Sequence, residues 1–384
     1  MSARRASRRI VVGSVPVGGG APVSVQSMLN VRTADVDAAL GQIRALADAG
    51  AEILRLAVDS EADAVALRSI VAASPVPLVA DIQFDWRSAL YALDAGAAAV
   101  RLNPGLFPSG GKELAEVAAA VREHGAAVRV GANAGSIGEA AIRREMAKGL
   151  SRDEALARVL AEKTLEECEA LEKLGVYNIK AALKCSSVPV TFRANIAFAE
   201  RTDIPLHIGV TEAGTPRIGV VKSAAGIGAL LLNGIGDTIR VSLTGDPVEE
   251  VRAGIAILES CGLRSAGPEI VACPTCGRTE IDLPALVAEV EKIVESVKAA
   301  KGSVKLRKIA VMGCPVNGPG EARDADLGLA GTRTGEVVLF RRGRVLGAYS
   351  AAEGLAKLEE FLTAPPEPLC PEASFEARNV AECL

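Results

Sequence analysis

Ala98-Ala99-Val100-Arg101-Leu102-Asn103 is a short β-type run that ends in polar residues, and the helical pattern Leu114–Glu123 follows it. The same phrase recurs along the chain. Further runs of this kind are Val23–Met28, Ile53–Val58, Pro77–Ile82, Ala127–Ala132, Asn178–Leu183, Pro205–Val210 and Asp237–Leu243. Helical patterns lie between them, including Val36–Ala49, Arg152–Leu174, Thr191–Glu200, Ile218–Leu232 and Val248–Glu259. Short apolar runs rich in Ala, Val, Leu and Ile suit a parallel sheet with helices packed on it. Strand-then-helix repeated eight times over about 240 residues predicts a (β/α)8 TIM barrel. A doubly wound open sheet is the competing architecture, but no dinucleotide-type glycine fingerprint follows any of these strands. Ile10 to Ala21 reads as a hairpin able to plug the bottom of the barrel.

Working outward, the Gly/Pro-containing stretch Gly262 to Pro268 reads as a linker, which assigns residues 1–262 to the barrel. Residues 268–363 then form a smaller α/β domain. Its expected strands are Glu269–Ala272, Arg307–Met312, Val337–Phe340 and Arg344–Tyr349. Its expected helices are Leu286–Lys298, with Pro284 ahead of it as a start signal, and Ala352–Leu362. The Pro-rich segment 364–384 is expected to be a poorly ordered tail.

Composition narrows the function. The formal net charge is -4 and only 3% of residues are aromatic, which argues against nucleic-acid binding and base stacking. No apolar run is long and charge-free enough to span a membrane, and glycines and prolines break up the basic start, so no membrane or secretory segment is expected. Eight cysteines without an export signal point to a reducing, cytoplasmic compartment with free or metal-bound thiols. Cys168 lies in a charged helix, and Cys370 and Cys383 lie in the tail.

Chemistry concentrates in two places. The first is Cys273-Pro274-Thr275-Cys276 together with Cys314-Pro315-Val316-Asn317-Gly318-Pro319-Gly320-Glu321. Three thiolates and one carboxylate on Gly/Pro-rich turns make a four-ligand metal site with one weak corner. An iron–sulfur site fits best, because glycines let backbone N–H groups turn toward sulfur. Zinc would want further Cys or His at tight spacing, and the chain's two histidines, His124 and His207, lie in the barrel region. Cys261 competes with Glu321 for the fourth position, but it ends a barrel helix pattern and reads as a small packed hydrophobe. A hard carboxylate on soft iron is a labile match, which a substrate-binding corner needs and an electron carrier with four thiolates does not.

The second place is the barrel mouth, where active sites of this fold lie. Arg55, Asp81, Arg101 with Asn103, Arg129 with Asn133, Lys180 and Lys184, His207 with Glu212, and Arg240 with Ser242 mark the strand ends. So many cations with so few acids cost energy unless an anion sits among them, and the guanidinium fork suits phosphate. A diphosphate is the simplest such ligand. The rival readings are a scatter of structural ion pairs, an iron–sulfur electron carrier fused to a barrel, a zinc-stapled non-redox phosphate enzyme, and an anion-binding regulatory protein.

Several stretches carry a resemblance. They are Val25-Gln26-Ser27-Met28, Ala80-Asp81-Ile82, Arg101-Leu102-Asn103-Pro104-Gly105 and Arg129-Val130-Gly131-Ala132-Asn133-Ala134-Gly135-Ser136. Others are Gly209-Val210-Thr211-Glu212-Ala213-Gly214, Gly236-Asp237-Thr238-Ile239-Arg240-Val241-Ser242-Leu243 and the two cysteine turns. With these the chain resembles the 4-hydroxy-3-methylbut-2-en-1-yl diphosphate synthase family of the methylerythritol phosphate isoprenoid route. The resemblance implies a [4Fe–4S] cluster on Cys273, Cys276, Cys314 and Glu321, with Glu321 also catalytic. It implies 2-C-methyl-D-erythritol 2,4-cyclodiphosphate as substrate, and a reduced flavodoxin or ferredoxin as donor. It further implies a homodimer whose active site is shared between subunits. The substrate residues it implies are Arg55, Arg101, Arg129, Asn133, Lys184, His207, Arg240 and Ser242, with Asp81 and Glu212 near the hydroxyls. Gln83 and Leu29 depart from the family pattern, which often has His and Thr there. Both are expected near the mouth, where they would tune substrate affinity.

Overall fold

The computed structural model describes residues 4–102, 111–131, 137–265, 267–301, 304 and 306–363. The side chains of Lys301, Pro319 and Glu321 lie outside the description. The chain forms two compact units, Met1–Arg264 and Ser265–Leu384.

The first unit opens with an antiparallel hairpin, β1 (Ile10–Val12) and β2 (Val15–Val17). Eight parallel strands follow: β3 (Ser24–Met28), β4 (Ile53–Ala57), β5 (Leu78–Ile82), β6 (Ala99–Leu102), β7 (Ala127–Val130), β8 (Ile179–Ala181), β9 (His207–Ile208) and β10 (Thr238–Ile239). Each pairs with its neighbour in chain order, and β10 returns to β3 through Thr238↔Ser24. A parallel bridge between Ala181 and Leu206 joins β8 to the start of β9 and closes the barrel. The anticipated helices are present, and Glu61–Ala73, Arg87–Asp94 and Glu139–Met146 add to them.

Side-chain alternation with period two sorts the strand residues into two environments. Leu54, Leu56, Leu78, Ala80, Ile82, Val100, Leu102, Val128 and Val130 join the helices in one continuous apolar core. The alternate positions Ile53, Val79, Ala99 and Ala127 pack instead with Ile10, Val12 and Val17 of the hairpin. The hairpin thus supplies an apolar floor at the N-terminal ends of the strands, and Asn178 holds it by bonds to both the N–H and the carbonyl of Val11. Two residues further along the same four strands stand Arg55, Asp81, Arg101 and Arg129. The alternation that makes the floor apolar therefore makes the layer above it ionic.

The basic start of the chain has a structural job. Arg4 pairs with Asp237 at 3.2 Å, Ser7 Oγ donates to the same carboxylate at 2.9 Å, and Leu206 N donates to its other oxygen at 2.9 Å. These bonds strap the segment to the seam between β9 and β10.

In the second unit a five-stranded sheet runs in the order β11 (Glu269–Ala272), β12 (Lys308–Met312), β13 (Leu327–Gly331), β14 (Val337–Arg341) and β15 (Arg344–Tyr349). The first three are parallel and the last two add antiparallel. Helices Leu283–Lys301 and Ala351–Thr363 cover one face, with Val290, Val294, Leu358 and Leu362 against Ile309, Val311, Leu329 and Leu339. Two expectations need correcting here. Pro284 is the second residue of its helix and not a residue ahead of it. β13 escaped the sequence reading because two of its five residues are glycine, which weakens a strand pattern. Gly328 is needed, since a Cβ there would lie 2.3 Å from the Phe340 ring. The tail 364–384 lies outside the described residues.

Candidate active site

Strand register builds the barrel site. Asp81 pairs with Arg101, Arg101 with Arg129, and Arg129 with Lys180, so four neighbouring strands present one charged row. All four side chains are buried, as are Arg55, Lys184 and His207. Arg101 Nη1 donates to Asp81 Oδ1 at 2.9 Å, and Arg55 Nε lies 3.5 Å from Asp81 Oδ2. Gln83 Nε2 donates to Asp81 Oδ1 at 3.0 Å. The departure at Gln83 thus supports the row's carboxylate. Leu29 does not face the mouth as expected. It is buried in the apolar core shared with the helices, because it follows β3 on the outward phase.

Beyond β8, Lys184 Nζ lies 3.2 Å from His207 Nε2. Gly209 makes room for this pair, since a Cβ there would meet Arg240 O at 2.3 Å and Lys184 Nζ at 3.0 Å. Arg240 follows β10 and stands 3.6 Å from Glu250, a buried carboxylate on the helix Pro247–Ser260. Glu250 also accepts from Ser27 Oγ at 3.2 Å and Leu243 N at 2.9 Å. Ser242, two residues past Arg240, is half-buried. Glu212 is exposed in the loop after β9 and holds a left-handed backbone, φ 51°, uncommon for a residue with a side chain. Asn133, like Asn103, lies outside the described residues.

The electrostatics are lopsided. Among the described residues of this layer, Arg55, Arg101, Arg129, Lys180, Lys184 and Arg240 face two carboxylates, Asp81 and Glu250. Burial lowers the Arg55 pKa to about 10, although Asp81 opposes the shift. Burial, reinforced by neighbouring cations, drives Arg129 and Lys184 well below their ordinary values, and brings Lys180 to about 7. Burial and the adjacent Lys184 likewise keep His207 from charging. For Asp81 burial pushes upward, but Arg55, Arg101 and Arg129 together outweigh it and keep the carboxyl ionised. The Nε atoms of Arg55, Arg101, Arg129 and Arg240, and His207 Nδ1, are buried without hydrogen-bond partners. Buried donors left unpaired are costly, and anionic oxygen would satisfy them. Sequence reasoning marked Lys180 as a strand-end cation but left it, Gln26 and Glu250 out of the binding set. The odd–even phase of Lys180, in line with Arg129, was the signal that could have added it.

The cysteine turns leave neighbouring parallel strands at the same edge. Cys273 follows β11 directly, Cys314 stands two residues past β12, and Ala272 and Val311 are register partners. Gly313 N donates to Cys273 Sγ at 3.2 Å, and Arg278 N to Cys276 Sγ at 3.5 Å. The Arg278 N–H, more than any other group, draws the exposed Cys276 thiol below its ordinary pKa. Cys314 is buried. Glu321 ends a wide π-helical turn, Val316–Glu321, a geometry often found at functional sites. Backbone donors aimed at thiolate sulfur fit an iron–sulfur group. Among the described residues no three His, Cys, Asp or Glu side chains converge on one metal-ion position. Cys261 is buried in the barrel core, where burial raises its thiol pKa, so it packs there as expected. Cys168 is buried in the same core. Cys370 and Cys383 lie outside the described residues.

The family model "GcpE TIM-barrel domain" matches residues 7–255, and "GcpE protein C-terminal domain" matches residues 269–364. The chain is 49% identical over 360 residues to the 4-hydroxy-3-methylbut-2-en-1-yl diphosphate synthase (flavodoxin) of Geobacter sulfurreducens, covering 93% of this chain and 98% of the relative. The chain belongs to the 4-hydroxy-3-methylbut-2-en-1-yl diphosphate synthase family. Relatives of the same name from Salinispora tropica and Aquifex aeolicus are each 46% identical. The alignments cover 99% and 93% of this chain, and 94% and 96% of those relatives. As a member of this synthase family the chain is an oxidoreductase of isoprenoid-precursor synthesis. It reductively opens and dehydroxylates 2-C-methyl-D-erythritol 2,4-cyclodiphosphate to the allylic 4-hydroxy-3-methylbut-2-enyl diphosphate. The family depends on an iron–sulfur centre. Among the described residues no helix is long and apolar enough to cross a membrane.

Proposed function

We propose that the charged row of the barrel holds the cyclodiphosphate. Arg55, Arg101, Arg129, Lys184, His207, Arg240 and Ser242, with Asn133, bind the diphosphate, and Asp81 and Glu212 orient the hydroxyls. The observation that carries this reading is the excess of buried cations over carboxylates, with four buried guanidinium Nε donors lacking a hydrogen bond. Cys273, Cys276, Cys314 and Glu321 hold a [4Fe–4S] cluster. When bound, that cluster supplies single electrons and a Lewis-acidic iron. Two electrons enter, the ring C–O bond breaks with its pair on phosphate oxygen, and the hydroxyl departs as water with one proton. Glu321, the one carboxylate of that set, would take up a proton from solvent and deliver it to the departing hydroxyl.

Reduced flavodoxin is the donor we favour, since the relatives carry it in their names; ferredoxin offers the same single-electron chemistry. A homodimer is favoured by the outward face of the helix Pro216–Leu232, where Ile218, Val221 and Leu232 are exposed. An active site shared between the subunits is part of the same proposal. Unpaired thiols suit a cytoplasmic setting. The test is Glu321→Gln in anaerobically purified enzyme. We expect the brown chromophore to persist and turnover to fall at least a hundredfold; undiminished turnover would remove Glu321 from the reaction.

A further inference from the structure

Lys180 is among the largest completely buried side chains of the described residues, and the proposed binding set does not use it. It stands on β8 in register with Arg129. Its Nζ donates to Gln26 Oε1 across the barrel at 3.1 Å, its one hydrogen-bond partner among the described residues. The charged and titratable groups around it are Arg129 on β7, Arg55 on β4, His207 on β9 and Lys184 four residues on. All are cations or an imidazole. Asp81, the row's carboxylate, is already shared between Arg55 and Arg101. An ammonium here is shut off from bulk solvent and has no counter-charge beside it among the described residues, and an amine needs neither.

We propose that Lys180 is a charge-compensating residue: a neutral amine in the empty barrel that takes up a proton when a diphosphate settles among the guanidinium groups beside it. The inference rests on the reading that the diphosphate binds in the barrel. Burial and the field of Arg129 and Arg55 already hold the amine near neutrality, about 7, and an anion that cancels this field removes the second cause. The ligand's chemistry gives such a switch a purpose. In a cyclic diphosphate each phosphorus keeps one strongly acidic oxygen, so the ring carries a fixed double charge. Ring opening frees a terminal phosphate and adds a third ionisable oxygen. A cage of fixed charges matches one of these states, whereas an amine that changes charge serves both.

The test is titration calorimetry of oxidised, anaerobic holoenzyme with the cyclodiphosphate and no reductant, at pH 8, in buffers of different ionisation heat. The cyclic ligand exchanges no proton there, so any uptake belongs to the protein. We expect net uptake by the unaltered enzyme, and about one proton less in Lys180→Met, which keeps the chain length without the amine. Between pH 7 and 9 the affinity of the unaltered enzyme should fall more steeply than that of the variant, by up to tenfold per pH unit. Binding without proton uptake by the unaltered enzyme overturns the inference, whether or not the variant folds. Equal uptake by enzyme and variant does the same. No binding at all overturns the diphosphate reading, and this inference with it.

Discussion

Arg101 Nη1 donates to Asp81 Oδ1 at 2.9 Å, and the two residues are register partners on adjacent strands. The carboxylate is shared with Arg55, so one acid serves two guanidinium groups in a buried layer. Asp81→Asn keeps the shape and removes the charge. Breaking one side of a buried ion pair costs roughly 3–5 kcal/mol. The stabilisation is present above the unfolded carboxyl's pKa of 3.8 and is lost as pH falls through the lower folded value. We expect Asp81→Asn to lower barrel stability at pH 7, and inorganic pyrophosphate to restore part of it. Denaturant unfolding followed by the fluorescence of Trp86, the chain's one tryptophan and a barrel residue, checks this.

The buried amines predict a slope of the same sign at higher pH. Lys180 falls from 10.5 to about 7 on folding, chiefly through burial. Between those values the unfolded chain binds the extra proton, so stability rises with pH. The slope is about 1.4 kcal/mol per pH unit for each such amine. The ligand-free enzyme should therefore melt at a higher temperature at pH 9 than at pH 7, as reported by Trp86. A flat or falling profile would contradict the assigned charge states.

Glu250 aims Arg240 from 3.6 Å while accepting from Ser27 and Leu243. Glu250→Ala should loosen the guanidinium without touching the redox chemistry. Steady-state kinetics should show KM for the cyclodiphosphate up about tenfold with kcat changed less than threefold, a loss of uniform binding.

Gly318 sits in the turn that carries Glu321, and a Cβ there would lie 2.4 Å from Ala330 Cβ. Overpacking of this kind costs typically 1–3 kcal/mol. Gly318→Ala should shift the turn and at least halve the iron content, while the barrel's Trp86 melting transition stays in place. Full iron loading would show that the turn yields without disturbing the ligands.

The barrel was legible because its strands end in polar residues at a constant phase. Ile53 and Arg55, Val79 and Asp81, Ala99 and Arg101, and Ala127 and Arg129 are each two apart, so floor and charged layer follow from period two. Lys180 was visible in the sequence, but its equivalence to Arg129 depends on register, which a three-residue strand does not announce. Glu250 lies on a helix, and only packing brings it to Arg240. The role of Arg4 was not legible because its partner, Asp237, is more than two hundred residues away. β13 was hidden by two glycines: Gly328 admits the Phe340 ring, and Gly331 lies close against Ile281 and the Gly313 carbonyl.

The central claim is that a chain with a cationic barrel also bears a cluster with one labile ligand, and that the two together reduce a cyclic diphosphate. Iron and sulfide analysis of anaerobically purified enzyme, joined to turnover of 2-C-methyl-D-erythritol 2,4-cyclodiphosphate under a strong one-electron reductant, tests it most directly. The account predicts about four iron and four sulfide per chain, with turnover proportional to iron content. Iron-free protein that still converts the substrate, or a fully loaded cluster without any turnover, would contradict it.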